Sequence, residues 1–96
     1  MKPIGLVPEA RLEFIESLAY YDSQQAGLGH RFLEAVVDAL DRIRRRPEVY
    51  RKIAPGCRQC RVLRFPYGLV YRIHDERIEI IAVMHLHRRP GYWKDR

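Results

Sequence analysis

The sequence contains little cysteine, no long hydrophobic run and only one acidic residue between positions 42 and 64. Cys57 and Cys60 are the only cysteines, too few for a structural zinc site of four ligands. Because they enter a predicted strand instead of opening a helix, we expect reduced cysteines without a redox role. No apolar run could cross a bilayer, and the N-terminus lacks the zones of a signal peptide. We therefore expect a cytoplasmic protein without a membrane partner.

Basic residues are concentrated in two parts of the chain, although the net charge is only +6. Residues 42–64 carry nine basic side chains against Glu48 alone, and residues 85–96 carry four basic and one acidic. Residues 1–41 have a net charge of −4. Two separate basic clusters suit a polyanionic partner, either a nucleic acid or an acidic protein segment. A solvated helix surface is the alternative explanation for either cluster alone.

The first half of the chain predicts a short strand followed by two helices. A length of 96 residues allows one domain, residues 1–96, with one modest core. Residues 2–7 predict an edge strand, and a helix begins at Pro8 and fades within "DSQQAGLG". A second helix is predicted from about Leu28 to Arg46, where an apolar stripe recurs at helical spacing before Pro47. The short link between the helices predicts an antiparallel hairpin.

After residue 57 the hydrophobic pattern becomes alternating, which predicts strands. The candidates are residues 57–65, 69–74 and 77–86, with a turn at residues 65–68. Short links between them favour antiparallel neighbours. The sequence thus predicts an α+β domain: a short N-terminal strand, then an antiparallel helical hairpin packed on one face of an antiparallel sheet of three to four strands.

Alternation along the last strand predicts which side chains face the helices. One set is wholly apolar and is expected to pack against the helices: Ile78, Ile80, Ala82, Met84 and Leu86. The other set contains His85 and His87, which we expect to project from the open face of the sheet. Residues 88–93 are expected to form a tail beyond the sheet.

Two kinds of chemistry fit the histidines. A metal site would require a third ligand, and none is evident, so we expect neither a metal nor another cofactor. Metal-free RNA cleavage would use His85 as acid or base and Arg61, Arg64 or Arg88 as the cation, with Tyr92 or Trp93 stacked on a base. The same residues also suit a protein-binding hot spot without chemistry.

Three stretches that together cover much of the chain are "YYDSQQAGLGHRFLEAVVDALDRIRRRPEVY", "RFPYGLVYRI" and "IEIIAVMHLHRRPGYWKDR". They resemble the RelE/ParE family of bacterial toxins from type II toxin–antitoxin modules. The resemblance implies a small cytoplasmic toxin that is neutralised by an antitoxin encoded beside it. We expect a segment of that antitoxin to occupy the groove between the hairpin and the sheet, and the basic surface of residues 42–64.

The family has two functional branches, and the turn and tail of this sequence favour the ParE-like one. That branch implies a non-catalytic toxin that poisons DNA gyrase, with no small-molecule substrate. The alternatives are a ribosome-dependent mRNA endoribonuclease acting through His85, Arg61, Arg64 and Arg88, or a degenerate member that only binds its antitoxin. The residues expected to bind target or antitoxin are Arg61, Arg64, Tyr71, His85, Arg88 and Trp93.

Overall fold

The computed structural model describes residues 1–96, which form two helices and five strands in an α+β fold. The predicted helical hairpin and the three predicted C-terminal strands are confirmed. An additional strand follows the second helix, and its sequence, RKIA, has no alternating pattern that would have revealed it. In chain order the elements are β1 (Ile4–Leu6), α1 (Pro8–Gln24), α2 (Leu28–Arg45), β2 (Arg51–Ala54), β3 (Cys57–Arg61), β4 (Tyr67–Ile73) and β5 (Ile78–His85).

The five strands form one mixed sheet in the order β1-β5-β4-β3-β2. β1 lies at an edge, as predicted, but it runs parallel to β5, whereas the other neighbours are antiparallel. β2 and β3 form a hairpin through Pro55 and Gly56, and Gly56 has the positive φ (+71°) that glycine adopts without strain. The sheet therefore has one more strand than the upper limit predicted.

The helical hairpin covers one face of the sheet through an apolar core. Phe32 of α2 lies at its centre, with its ring 5.0 Å from Tyr67 and 5.1 Å from Phe65. The hairpin closes tightly because the backbone N–H of Gly29 donates to the Asp22 carboxylate at 2.9 Å. A Cβ at Gly29 would lie 2.6 Å from that carboxylate, so a larger residue here would displace the Asp22 side chain and its hydrogen bond.

The link between β3 and β4 turns earlier than predicted. The backbone N–H of Val62 donates to the carbonyl of Tyr67, and the turn between them contains Arg64 with a φ of 71°. Gly68, predicted to end the turn, lies inside β4. A Cβ at Gly68 would approach the Gln59 side chain to 3.0 Å. Gly68 therefore serves close side-chain packing across the strands and not chain reversal.

A β-bulge interrupts the pairing of β4 with β5. Tyr71 lies opposite Ile80 and Val70 lies opposite Ala82, so Ile81 is an extra residue in β5. Because side chains alternate along a strand, one extra residue exchanges the two faces for every residue that follows. The predicted assignment of faces therefore holds only before the bulge.

Beyond the bulge, β5 has the opposite orientation to the one predicted. Val83 packs in the core beneath the helices. Ala82, Met84 and Leu86, predicted to face the helices, belong to the apolar cluster on the other face. His85 lies two residues after Val83, on the helix side and beside the ring of Tyr67. The prediction that His85 projects from the open face is therefore wrong, and His87 lies after the end of the strand.

The C-terminal tail, residues 86–96, folds back over the sheet instead of extending beyond it. Trp93 is buried in the second apolar cluster with Val70 and Met84, on the face opposite the helices. Tyr92 packs against the same cluster. The sheet is therefore covered by helices on one face and partly by the tail on the other.

Candidate functional site

His85 lies at the end of β5, against the helix side of the sheet. Its ring centroid is 5.1 Å from that of Tyr67, whose hydroxyl lies 3.2 Å from the Ser17 hydroxyl of α1. The backbone N–H of His87 donates to Nδ1 of His85 at 3.1 Å, so the neutral ring carries its proton on Nε2. Nε2 is therefore the nitrogen that a ligand would meet.

One carboxylate, Glu13 of α1, binds both β5 and the tail. Its side chain is only 10% exposed and accepts hydrogen bonds from the Val83 backbone N–H at 3.0 Å and the Tyr92 hydroxyl at 2.7 Å. Two guanidinium nitrogens of Arg96 lie 2.8 and 3.1 Å from its oxygens, and Arg88 lies 3.2 Å away. Burial, together with the hydrogen bond to Glu13, raises the pKa of Tyr92, which keeps the phenol a neutral donor.

Glu13 and Arg96 also complete the exposed edge of β5. β1 ends opposite Ile80, so the remainder of β5 has no strand on that side. There Glu13 accepts from the Val83 N–H, and Arg96 donates to the Ile81 carbonyl at 3.1 Å. Two side chains from distant parts of the sequence thus form hydrogen bonds with the backbone groups of β5 that a longer β1 would have paired.

The residues predicted for RNA cleavage do not meet in one place. His85 lies on the helix side, whereas the alternation of β3 places Arg61 on the opposite face of the sheet. Arg64 lies in the turn between β3 and β4. Only His85 and Arg88 come together, in a cavity of about 290 Å³, and Arg88 is bound there by Glu13.

The cavity beside His85 contains more acidic than basic groups. Glu13 and Glu16 contribute carboxylates from positions three residues apart on α1, and Arg88 is the only lysine or arginine among the lining residues. Glu13 is paired with both Arg96 and Arg88, while Glu16 has no ion pair. A phosphate placed at His85 would therefore meet one unpaired carboxylate, and the single arginine of the lining is already bound to Glu13.

Two residues expected at a binding surface are buried. Tyr71 has no exposed surface, and its hydroxyl donates to the Pro47 carbonyl at 2.6 Å. Its pKa is raised by burial. Trp93 is 3% exposed within the second apolar cluster. Both residues therefore contribute to the fold through packing.

Part of the basic segment 42–64 forms ion pairs and hydrogen bonds within the fold itself. Arg42 binds Asp38 at 3.0 Å and the Arg61 carbonyl at 2.9 Å, and Arg58 donates to the backbone carbonyls after α2. Arg45 pairs with an acidic residue of its own helix. The exposed basic residues of this segment without an ion pair are Arg46, Arg51, Lys52, Arg61 and Arg64.

The largest groove, of about 690 Å³, lies between α2 and the turn that joins β3 to β4. Of its two acidic residues, Asp38 binds Arg42, whereas Glu34 has only His30 nearby, at 3.7 Å. Its two arginines have no ion pair, and Leu63 is 54% exposed. The lining is completed by Leu28, Arg31, Ala35, Arg64 and Phe65. This groove therefore combines exposed apolar surface with two arginines that have no ion pair.

The cysteines are buried on opposite faces of the sheet, Cys57 in the cluster under the tail and Cys60 in the helix-side core. Burial raises the pKa of Cys60, which disfavours its thiolate. No group of three or more His, Cys, Asp or Glu side chains is arranged to hold a metal ion. Neither helix has the combination of length and apolarity that crossing a membrane requires.

Sequence reasoning missed Glu13, whose place on the buried side of α1 becomes visible only from the burial of its neighbours in the structure. Ala10 and Ser17 are the buried residues of α1, and Glu13 falls between them on the same side at helical spacing. A carboxylate within the buried side of a helix requires a partner. The identity of that partner was not visible, because the groups that bind Glu13 are 70 to 83 positions away.

Comparison with known proteins identifies one matching family model, described as ParE toxin of type II toxin-antitoxin system, parDE, over residues 7–90. The fold is similar to a solved chain described as "Chromosomal ParDE TA system from P. aeruginosa", with a TM-score of 0.68 and 17% sequence identity. The superposition covers 91% of this chain and 98% of that chain. At such low identity the likeness concerns the fold alone. No curated protein matches the sequence.

Proposed function

Since the chain belongs to the ParE toxin family of type II toxin–antitoxin systems, we propose that it inhibits growth in the cytoplasm by binding and poisoning DNA gyrase. A cognate antitoxin neutralises it. The proposal assigns no bond-making step to the toxin itself. His85 contributes to the shape of the surface beside α1 and does not transfer protons on an RNA.

The observation that supports a binding mechanism is the acidic cavity at His85. An RNA-cleaving centre needs cations around the phosphate to stabilise its developing charge. Here Glu13 and Glu16 stand beside the imidazole, and Arg88 is already bound to Glu13. Arg61 lies on the other face of the sheet. The geometry therefore favours a toxin that acts by binding over the endoribonuclease alternative.

The first test is a supercoiling assay with purified toxin, gyrase and relaxed plasmid. We expect supercoiling to fall with toxin concentration, and linear DNA to accumulate when gyrase is denatured and digested. Unchanged supercoiling with no trapped cleavage complex at excess toxin would refute the proposal. Primer extension on mRNA after brief expression should show no new 5′ ends. New ends that disappear in His85→Ala would establish the endoribonuclease alternative instead.

For the antitoxin, we propose that an acidic and apolar segment lies in the groove between α2 and the β3–β4 turn. The exposed side chain of Leu63 would pack against apolar residues of that segment, while Arg31 and Arg64 would pair with its carboxylates. A growth assay with and without antitoxin separates this from a degenerate, non-toxic chain, which would not affect growth when expressed alone.

Charge reversal in the groove tests the antitoxin site. Arg64→Glu should weaken binding of the purified antitoxin about tenfold at low salt, with a smaller effect at high salt. Arg46→Glu is the matched control, because Arg46 is also exposed and unpaired but does not line the groove. Equal effects of the two variants, or binding that is insensitive to salt, would contradict the assignment.

A further inference from the structure

A second pocket lies on the face of the sheet opposite the helices. It has a volume of about 360 Å³ and is bounded by β2, the end of β5 and the tail. The β-bulge creates it, since the bulge turns Met84 towards this face. The apolar side chains around it are Ile53, Met84, Leu86 and Trp93.

All charged residues that line this pocket are basic. They are Arg51 of β2 and Arg88 and Lys94 of the tail. Arg88 is bound to Glu13, but Arg51 and Lys94 are exposed and have no ion pair. The pocket therefore has an apolar floor and two uncompensated cations at its rim.

We propose that this pocket docks an acidic peptide segment, in which one large apolar side chain enters the pocket and flanking carboxylates pair with Arg51 and Lys94. The volume is at the small end of the range for ligand pockets, about 300 to 1,000 Å³, and suits a single side chain. Apolar anchoring at the centre with charge at the rim is the usual arrangement of a peptide-binding hot spot.

A peptide fits this surface better than a nucleic acid does. Apolar residues outnumber cations in the lining, whereas nucleic-acid interfaces are dominated by positive charge. Trp93 and Met84 are buried in the wall and present no aromatic face on which a base could stack. The observations therefore favour a protein partner over an RNA or DNA strand.

This inference goes beyond the proposed function. The groove assigned to the antitoxin lies beside α2, and the second pocket lies on the opposite face of the sheet. One protein segment can occupy the pocket while another occupies the groove. Failure of the pocket proposal would leave gyrase inhibition and antitoxin binding untouched.

Trp93 supplies a site-specific readout, because it is the only tryptophan in the chain and lines the pocket. The probe is a synthetic peptide with a central leucine flanked on both sides by glutamates, titrated into isotopically labelled full-length protein. We expect a saturable shift of the Trp93 indole N–H resonance and of the Met84 methyl signal. The same peptide with lysines in place of the glutamates should produce no saturable shift.

Adjacent positions on β2 supply a matched pair of variants. Arg51→Glu should weaken peptide binding by about five- to tenfold, as expected for loss and reversal of a rim charge. Lys52→Glu makes the same change of net charge, but Lys52 does not line the pocket, so binding should stay within about twofold. The spectra also show whether each variant is folded.

Four outcomes would overturn the proposal. They are no shift at Trp93, equal shifts with the acidic and basic peptides, equal weakening by Arg51→Glu and Lys52→Glu, and shifts confined to groove residues such as Leu63. A DNA duplex that shifts the Trp93 signal where the acidic peptide does not would likewise replace the peptide by a nucleic acid as the partner.

Discussion

Replacing Glu13 by glutamine should destabilise the protein strongly without altering its shape. The variant retains one carbonyl oxygen but loses the charge that binds Arg96 at 2.8 Å and one of the oxygens that serve the Val83 N–H and the Tyr92 hydroxyl. Removing one partner of a buried ion pair costs about 3 to 5 kcal/mol. Glu13 and Arg96 are 10% and 15% exposed, so water reduces the expected loss to about 2 to 3 kcal/mol.

Arg88 adds little to this sum. Its side chain is 53% exposed, and an ion pair at such a position is worth well under about 1 kcal/mol. For a domain of this size a loss of 1 kcal/mol lowers the melting temperature by roughly 4 to 8 °C. The melting temperature of Glu13→Gln should therefore fall by roughly 10 to 20 °C. Thermal unfolding followed by circular dichroism, together with urea titration, measures both quantities.

Glu16→Gln is the matched control for this prediction. Glu16 lines the same cavity on the same helix but has neither an ion pair nor a side-chain hydrogen bond, so its replacement should change stability by less than about 0.5 kcal/mol. A double-mutant cycle of Glu13→Gln with Arg96→Gln should show a coupling above about 1 kcal/mol. If Glu13→Gln were as stable as the wild type, the assignment of Glu13 as the link between α1 and the tail would be wrong.

Two smaller predictions concern single buried or half-buried groups. Tyr71→Phe should lower the free energy of unfolding by about 1 to 2 kcal/mol, because it leaves the Pro47 carbonyl without the hydroxyl donor that now lies 2.6 Å away. Urea titration measures this loss, and an unchanged stability would contradict the prediction. The hydrogen bond from His74 holds the pKa of Glu79 below its usual range in the folded protein. Ionised Glu79 therefore stabilises the fold at a pH above its unfolded pKa of about 4.3. This contribution is lost as the pH falls through the pKa of Glu79 in the folded protein. Glu79→Gln should accordingly be less stable than wild type at pH 7 but equally stable at about pH 2, and a difference that persists at low pH would contradict this explanation.

The elements themselves were predictable because their signals are local. α2 spans Leu28–Arg45, against a prediction of Leu28 to Arg46, because an apolar stripe at helical spacing is followed directly by Pro47. The strands β3, β4 and β5 follow from alternation and short connections. β2 was missed because four residues without a pattern become a strand only when β3 is there to pair with them.

The orientation of His85 was not predictable from alternation. Residues 80–84 are apolar at every position, so either face of the strand could be buried, and the pattern contains no mark of the bulge at Ile81. That one residue places His85 beside Tyr67 and an acidic cavity, and turns Met84 towards the second pocket. For this reason His85 and Arg61, which were predicted to act together, lie on opposite faces of the sheet.

The sequence by itself determined the order of helices and strands, the concentration of basic charge and the resemblance to a toxin family. These depend on neighbouring residues or on composition, which the order of amino acids contains directly. Only the tertiary structure decided that Glu13 binds Arg96, that Tyr71 and Trp93 are buried, and that Arg61 lies away from His85. Such contacts depend on strand register and join chain segments up to 83 positions apart. A single bulge also exchanges the faces to which the following side chains of β5 point.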